Sequence, residues 1–283
     1  MTFGRLGPVG QEIPVLNVAD RTYDLRPVCT DVDGEFLERD GIARALAAAE
    51  DGTLQLLPDP ETLRVGAPIG RPGKIVCIGL NYRDHAEETG AEIPSEPVVF
   101  MKDPSTVIGP FDEILIPRTS VKTDWEVELG VVIGSTARYV ASPDVALQHV
   151  AGFVVSHDVS EREFQLERGG QWDKGKSCET FNPLGPWLVP TDAVSDPQAL
   201  DLDLRVNGVR RQHGSTADMI FDVAHIVWYL SQFMVLRPGD LINTGTPAGV
   251  ALGGTDVPFL AAGDVVELSI TGLGTAIQPV GAA

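Results

Sequence analysis

The chain has 283 residues, with 21 Lys and Arg against 40 Asp and Glu, so its formal net charge is −19. This charge disfavours nucleic acid and anionic membranes as partners, because both require a basic protein face. An anionic substrate would need positive charge supplied locally, by a bound metal or a few placed Lys or Arg side chains. No apolar run is long enough to span a bilayer. Three widely spaced cysteines favour free thiols, and we expect a cytoplasmic protein.

In chain order, the pattern predicts a small N-terminal unit, residues 1–68, and a larger unit, residues 69–283. The Gly- and Pro-rich connector VGAPIGRPGK marks the boundary between them. The absence of regular strand–helix alternation favours a mixed or antiparallel β fold with a few helices over a Rossmann domain. Helices are predicted over 41–50, 84–89, 161–168 and 218–234. Strands in the larger unit are predicted over 74–80, 97–101, 113–117, 125–134, 151–159, 184–190, 202–208, 240–245 and 264–270.

The segment TDWEVELGVVIG (123–134) holds the most informative acids. Side chains alternate between the faces of a strand, so Glu126 and Glu128 point the same way. Asp158 closes another apolar strand, where its side chain can face a cleft. Three carboxylates without a Cys or His pair at zinc spacing are typical of an oxygen-rich Mg²⁺ or Mn²⁺ site. The alternatives are a solvated acidic face for the glutamates and a helix N-cap for the aspartate.

The segment NYRDHAEE (81–88) contains a possible acid–base pair. His85 and Glu88 are three residues apart, so they share a face if the segment is helical. A carboxylate beside an imidazole fixes its tautomer and raises its basicity, as a general base requires. An incidental pair on a surface helix is the alternative, and the spacing alone favours it.

Two further segments offer groups that bind anions. Lys176, in the loop-like stretch GGQWDKGKSCETF (169–181), could neutralise a substrate carboxylate or a developing enolate. Thr246 lies in the turn NTGTPAGV (243–250), whose backbone N–H groups could bind an anion. A solvated lysine and a simple tight turn remain the alternatives.

Taken in order, these segments resemble the fumarylacetoacetate hydrolase family. The resemblance runs from KIVCIGLNYRDHAEE through PVVFMKDPS, DWEVELGVVIG, FVVSHDVSEREFQ, QWDKGKSCETFNPLGPWLV and VNGVRRQHGST to LINTGTPAGV, covering about residues 70–280. It is strongest, around GGQWDKGK, to a bacterial subgroup that acts on 2,4-dioxo sugar acids or related acylpyruvates. Members of that subgroup are variously labelled hydrolase, hydroxyheptadienedioate isomerase or ureidoglycolate lyase.

The resemblance implies an α+β, mostly β fold: a mixed β-roll catalytic domain after a small N-terminal α+β domain, in a homodimer. It also implies one Mg²⁺ or Mn²⁺ per chain. Carried over position by position, it implies metal ligands at Glu126, Glu128 and Asp158, catalytic residues at His85, Glu88 and Lys176, and substrate contacts at Tyr82, Gln165 and Thr246. The chain departs from the pattern at His157, where Asn is expected, and at Glu179, where Asp is usual. Both departures are expected to add polarity near the site and to affect substrate choice.

The implied activity is hydrolysis of a C–C bond in an acylpyruvate, giving pyruvate and a carboxylic acid in the catabolism of sugar acids or aromatic compounds. His85, oriented by Glu88, would activate water, while the metal and Lys176 would stabilise the pyruvate enolate. Without attack by water, the same residues could support isomerase, tautomerase, decarboxylase or lyase chemistry on a 2-oxo acid. A non-catalytic binding protein on the same scaffold and a structural dimer with surface acids are the remaining alternatives.

Overall fold

The computed structural model describes residues 1–90, 92–254 and 257–283. Its strands are β1 (Thr2–Leu6), β2 (Ile13–Val18), β3 (Arg21–Asp24), β4 (Ile75–Gly79), β5 (Val98–Lys102), β6 (Val107–Ile108), β7 (Ile114–Ile116), β8 (Thr123–Asp124), β9 (Val127–Ile133), β10 (Val150–His157), β11 (Ser160–Glu161), β12 (Asn182–Pro183), β13 (Val189–Pro190), β14 (Asp201–Val206), β15 (Val209–Ser215), β16 (Leu241–Asn243), β17 (Val265–Ile270) and β18 (Gly274–Ala282). Its α-helices are α1 (Gly34–Glu38), α2 (Gly41–Glu50), α3 (Arg83–Thr89), α4 (Asp173–Lys176) and α5 (Val223–Ser231).

Two larger sheets form the body of the fold. A six-stranded mixed sheet has the order β13-β10-β9-β16-β4-β5, and a five-stranded sheet has the order β15-β14-β17-β18-β7. Within the first, β4 and β16 are parallel and the other neighbours antiparallel. A smaller antiparallel sheet, β1-β2-β3, lies at the N-terminus. This architecture is mostly β with several mixed sheets, as the sequence predicts.

The six-stranded sheet is buried on both faces because its central strands are apolar at successive positions. Along β9, Val131 and Ile133 pack into one core with the five-stranded sheet and α5. Val132, between them, packs into a second core with N-terminal residues such as Phe3 and Leu16. The N-terminal segment therefore covers one face of the six-stranded sheet. The proposed division at residue 68 stays a prediction.

Several predicted elements differ from the observed ones. The helix predicted over 218–234 is shorter, Val223–Ser231, because the Asp222 side chain accepts the His225 N–H and caps a later start. The helix predicted over 161–168 is a π-helical turn, Glu163–Glu167. The strand predicted over 184–190 is reduced to β13, since Gly185 adopts a positive φ that interrupts extended backbone.

Two shorter predicted segments, a helix and a loop, can also be compared with the structure. The helix predicted over 84–89 is present as α3. The stretch predicted as a loop around Lys176 contains the one-turn helix α4. In the described part of the chain, no helix combines the length and the apolar character needed to cross a membrane.

Candidate active site

Three carboxylates meet where β9 begins and β10 ends. The antiparallel register sets His157 opposite Val127, and the Asp158 N–H donates to the Glu126 carbonyl at 3.0 Å. Glu126, Glu128 and Asp158 are all buried, and one ligand oxygen from each lies within 4.8 Å of the others. The alternation of the strands puts them on the face that carries Val132 and Val154, opposite the core shared with the five-stranded sheet.

Three cations neutralise most of this negative charge. Lys176 Nζ lies 2.6 Å from Glu126 and 2.9 Å from Asp158. Lys102 pairs with the second oxygen of Asp158 and donates to two backbone carbonyls. Arg162 joins Glu126, at 2.7 Å, to the buried Asp124, at 2.9 Å. We call these seven residues the charge cluster: Lys102, Asp124, Glu126, Glu128, Asp158, Arg162 and Lys176.

The two glutamates have opposite electrostatic surroundings. Burial alone would raise the pKa of Glu126, but the ammonium of Lys176 and the guanidinium of Arg162 lower it to about 2. Burial and the charges of Asp158 and Glu126 hold the pKa of Glu128 well above its ordinary value. The Glu128 carboxylate accepts the Gly245 N–H at 2.8 Å, and the described residues form no ion pair with it. The protein alone therefore stabilises Glu126 as an anion but leaves Glu128 under-compensated.

This donor set fits a hard divalent cation. The three carboxylates are close enough to share one ion, and all offer oxygen, the ligand that Mg²⁺ and Mn²⁺ prefer. A divalent cation would also compensate the charge of Glu128, the carboxylate that does not pair with Lys102, Lys176 or Arg162. The residues present therefore fit the metal that the sequence implies, and the same chemistry does not choose between Mg²⁺ and Mn²⁺.

The predicted acid–base pair lies on α3. His85 Nδ1 is 3.5 Å from Glu88 Oε2, on one face of the helix as the spacing predicts. Burial raises the pKa of Glu88, but hydrogen bonds from His85 and the Gly249 N–H outweigh it and lower the pKa overall. Gly249 N donates to both Glu88 oxygens at 3.0–3.1 Å, and Ala248 N donates to Asp84. The turn 245–249 is thereby fixed against the helix.

That turn also reaches the charge cluster. Thr246 Oγ1 donates to the Val127 carbonyl at 2.9 Å, while Gly245 N donates to Glu128. Gly245 has φ +98, and a Cβ there would lie 2.8 Å from Asn81 Cβ. Only glycine combines this left-handed backbone with such a close approach. One turn therefore holds α3 on one side and a carboxylate of the cluster on the other.

A cavity of about 270 Å³ opens beside these groups. Six of the nine predicted site residues line its wall. The predicted residues in its lining are His85, Glu126, Glu128, Gln165, Lys176 and Thr246. Gln165 accepts a hydrogen bond from Arg162 at 3.1 Å. Asp158 and Glu88 do not line the cavity, but each contacts a residue that does. Asp158 pairs with Lys176, and Glu88 lies beside His85.

Tyr82 and the two residues that depart from the family pattern, His157 and Glu179, do not line the cavity. Tyr82 is fully buried, outside the cavity lining, and its hydroxyl has no hydrogen-bond partner among the described residues. His157 points to the opposite face of β10 from Asp158, where Nδ1 lies 3.0 Å from Gln278 Oε1. Glu179 is exposed and does not line the cavity. Neither side chain lines the cavity, and the expected effect of these two departures on substrate choice stays a prediction.

Sequence reasoning missed three members of the charge cluster: Lys102, Asp124 and Arg162. The sequence does give an indication for Lys102, which ends the apolar run VVFMK, just as Asp158 directly follows strand β10. Buried carboxylates require nearby cations, so a basic residue at such a strand end was a candidate partner. Arg162 lies on the segment after Asp158, and no local pattern marks its contact with Glu126.

The comparisons with known proteins identify the class. The sequence model for the C-terminal region of fumarylacetoacetate (FAA) hydrolase matches residues 74–281, so the chain belongs to this enzyme family. This confirms the resemblance predicted from the motifs.

Relatives cover nearly all of the chain, and solved structures cover all of it. A Burkholderia ambifaria protein named only as a candidate hydrolase is 54% identical over 276 residues, 97% of this chain and 96% of its own. The 2-hydroxyhepta-2,4-diene-1,7-dioate isomerase from Mycobacterium marinum is 33% identical with a TM-score of 0.75, covering 100% of this chain and 98% of its own. Maleylpyruvate hydrolase from Sphingobium sp. SYK-6, in complex with manganese(II) and pyruvate, is 27% identical with a TM-score of 0.82 over both full chains.

The lack of an ion pair at Glu128 among the described residues leads to a prediction about the unfolding temperature. With chelator, Glu128→Gln should unfold at the same temperature as the wild type or higher, because the neutral amide removes repulsion and still accepts the Gly245 N–H. Mn²⁺ at 100 times its dissociation constant should stabilise the wild type by about 2.7 kcal/mol, and the variant much less. Thermal unfolding with and without Mn²⁺ checks both statements.

The matched control is Glu267→Gln, a change at an exposed strand position. It should keep the full Mn²⁺ response. A full response in Glu128→Gln would instead mean that the ion binds elsewhere.

Proposed function

We propose that the protein hydrolyses a C–C bond in an acylpyruvate, a 2,4-dioxo acid, with one Mg²⁺ or Mn²⁺ per chain. The observation that carries this proposal is one cavity bordered by both an acid–base pair and a three-carboxylate cluster. Binding alone would not need the acid–base pair. The maleylpyruvate hydrolase neighbour, described with manganese(II) and pyruvate, supports both the cofactor and the product.

Glu126, Glu128 and Asp158 would hold the metal, which supplies Lewis acidity to a 2-oxo acid when bound. His85 takes a proton from a water molecule, and Glu88 fixes the tautomer and stabilises the imidazolium. The water oxygen adds to the C4 carbonyl of the substrate, and the C3–C4 bond then breaks. C3 leaves as the enolate carbon of pyruvate and receives the proton held on His85, while C4 becomes the carboxyl carbon of the second product.

Two cationic side chains of the wall would support this step. Lys176 Nζ borders the cavity and contacts two of the three carboxylates, so it lies beside the atoms on which enolate charge develops. Arg162 is fixed by Asp124 and Glu126 and in turn orients the Gln165 amide at the cavity wall. Gln165 and Thr246 would then contact the substrate oxygens.

Isomerase chemistry is the second candidate, because the Mycobacterium marinum neighbour carries an isomerase name. Without attack by water, His85 could instead remove a proton from a carbon beside the 2-oxo group, and the resulting enolate could take a proton back at another carbon. Decarboxylase or lyase chemistry could follow similarly. Mass spectrometry of the product separates these reactions, since hydrolysis alone adds one water to the combined products.

The proposal includes a cytoplasmic location and a homodimer. Cys29, Cys77 and Cys178 are all unpaired, as a reducing compartment favours. Around α5, a run of aromatic side chains reaches the surface: Tyr229 and Phe233 have ring centroids 4.8 Å apart, and Phe233 is 68% exposed. An exposed aromatic patch of this kind is typical of an interface between protein chains.

Removing the proposed base should abolish most turnover. His85→Ala should lower kcat for pyruvate release from an acylpyruvate by about 10²–10⁴-fold, because a positioned proton acceptor contributes about that factor. The Mn²⁺-dependent rise in unfolding temperature should be unchanged, since His85 is not among the three ligands. A coupled pyruvate assay, with and without chelator, measures the first effect.

The exposed His213→Ala is the matched control and should retain wild-type turnover. Full pyruvate release by His85→Ala would contradict the proposed mechanism.

The homodimer has its own test. Phe233→Ser should shift the molar mass measured by light scattering at micromolar concentration from two chains to one, because it removes an exposed aromatic side chain from the patch. Val9→Ser, at another exposed apolar position, should leave the mass unchanged. A wild-type protein that is monomeric would overturn this part of the proposal.

A further inference from the structure

The cavity has a second, apolar part beyond the charge cluster. Six apolar side chains line it: Ile78, Leu80, Phe100, Leu166, Trp172 and Leu252. The Phe100 ring centroid lies 5.1 Å from Lys176 Nζ and 5.4 Å from the Trp172 ring. The aromatic wall therefore begins directly beside the charged groups that would hold the pyruvate part of a substrate.

This wall is held in place by the fold. Trp172 packs against Gly79, where a Cβ would lie 2.7 Å from the indole ring. The Leu252 N–H donates to the buried Asp124 at 3.0 Å, which fixes the leucine backbone. Leu166 and Leu252 nevertheless remain 43% and 40% exposed. Two exposed leucines on the wall of one cavity present apolar surface to whatever enters it.

The cations of the site are already paired. Among the described residues that line the cavity, the cationic side chains are Arg162 and Lys176, and each contacts two carboxylates. Because carboxylates of the charge cluster already hold both of these cations, a second carboxylate at the far end of a substrate would meet the apolar wall without a cationic partner, which is unfavourable.

We infer that the tail of the acyl group is an uncharged alkyl or aryl chain, and that Leu166, Trp172 and Leu252 determine this specificity. The inference rests on the proposed function and specifies its substrate class. A tail ending in a carboxylate, as in a heptadienedioate, meets apolar side chains and no unpaired cation among the described lining. A polyhydroxylated tail would lose hydrogen bonds to water against the same wall.

The test compares two series of acylpyruvates of equal length, one with straight alkyl acyl groups and one whose acyl groups end in a carboxylate. Within the alkyl series, kcat/KM should rise about fourfold per added methylene until the cavity is filled. At equal length, the alkyl compound should exceed the carboxylate-ended one by about tenfold or more. Equal values, or a preference for the carboxylate, would overturn the inference.

A substitution in the apolar wall tests whether the wall itself selects the substrate tail. Leu166→Arg places a cation at the exposed edge of the wall, so it should raise kcat/KM for the carboxylate-ended series and lower it for the alkyl series. Leu56→Arg, at an exposed position that does not line the cavity, should keep the wild-type ratio. An unchanged ratio in Leu166→Arg would show that the wall does not select the tail.

An error in the proposed reaction can be told apart from an error in the proposed tail preference. If neither series yields any product, the reaction is wrong, and tail preference is then read from binding. With Mn²⁺ present, 2-oxo acids with alkyl tails should raise the unfolding temperature more than those with a terminal carboxylate. Equal or weaker stabilisation by the alkyl compounds would contradict the inference on its own.

Discussion

The structure depends on one constraint: seven ionisable side chains are buried together where β9 begins and β10 ends. Burying charge is unfavourable unless each group finds a partner of opposite sign or a hydrogen bond. Lys102, Lys176 and Arg162 provide most of this compensation and leave Glu128 with a raised pKa. The protein therefore maintains a site that is short of positive charge, and a divalent cation is the ligand that this imbalance favours.

The rest of the catalytic region is arranged around that cluster. Gly245 donates its N–H to Glu128, and Gly249, four residues later, donates to Glu88 on the helix that carries His85. Asp124 similarly connects Arg162 to the backbone of Leu252. Charged, acid–base and apolar surfaces thus meet in one cavity because short backbone contacts join them. The proposed chemistry uses the charged end for a 2-oxo acid and the apolar end for the acyl tail.

Much of this site was predictable from the sequence, for reasons that particular residues illustrate. The period of two along a strand puts Glu126 and Glu128 on one face, and the spacing of His85 and Glu88 fits one helical face. The same alternation, applied to β10, turns His157 away from Asp158, although adjacency alone suggested a shared site. Strand β18 was not predicted, because TAIQPVGA has a weak apolar pattern and one of its two partners, β7, is distant in sequence. The pairing of Arg162 with Glu126 is likewise a tertiary contact that no local pattern encodes.

Glu126, Glu128 and Asp158 are proposed to bind one divalent cation together. Diffraction from crystals grown with Mn²⁺, recorded at a wavelength where manganese scatters anomalously, tests this proposal most directly. One anomalous peak per chain is expected, within coordination distance of an oxygen from each of the three carboxylates. A peak at other residues, or none at a Mn²⁺ concentration that supports turnover, would contradict it.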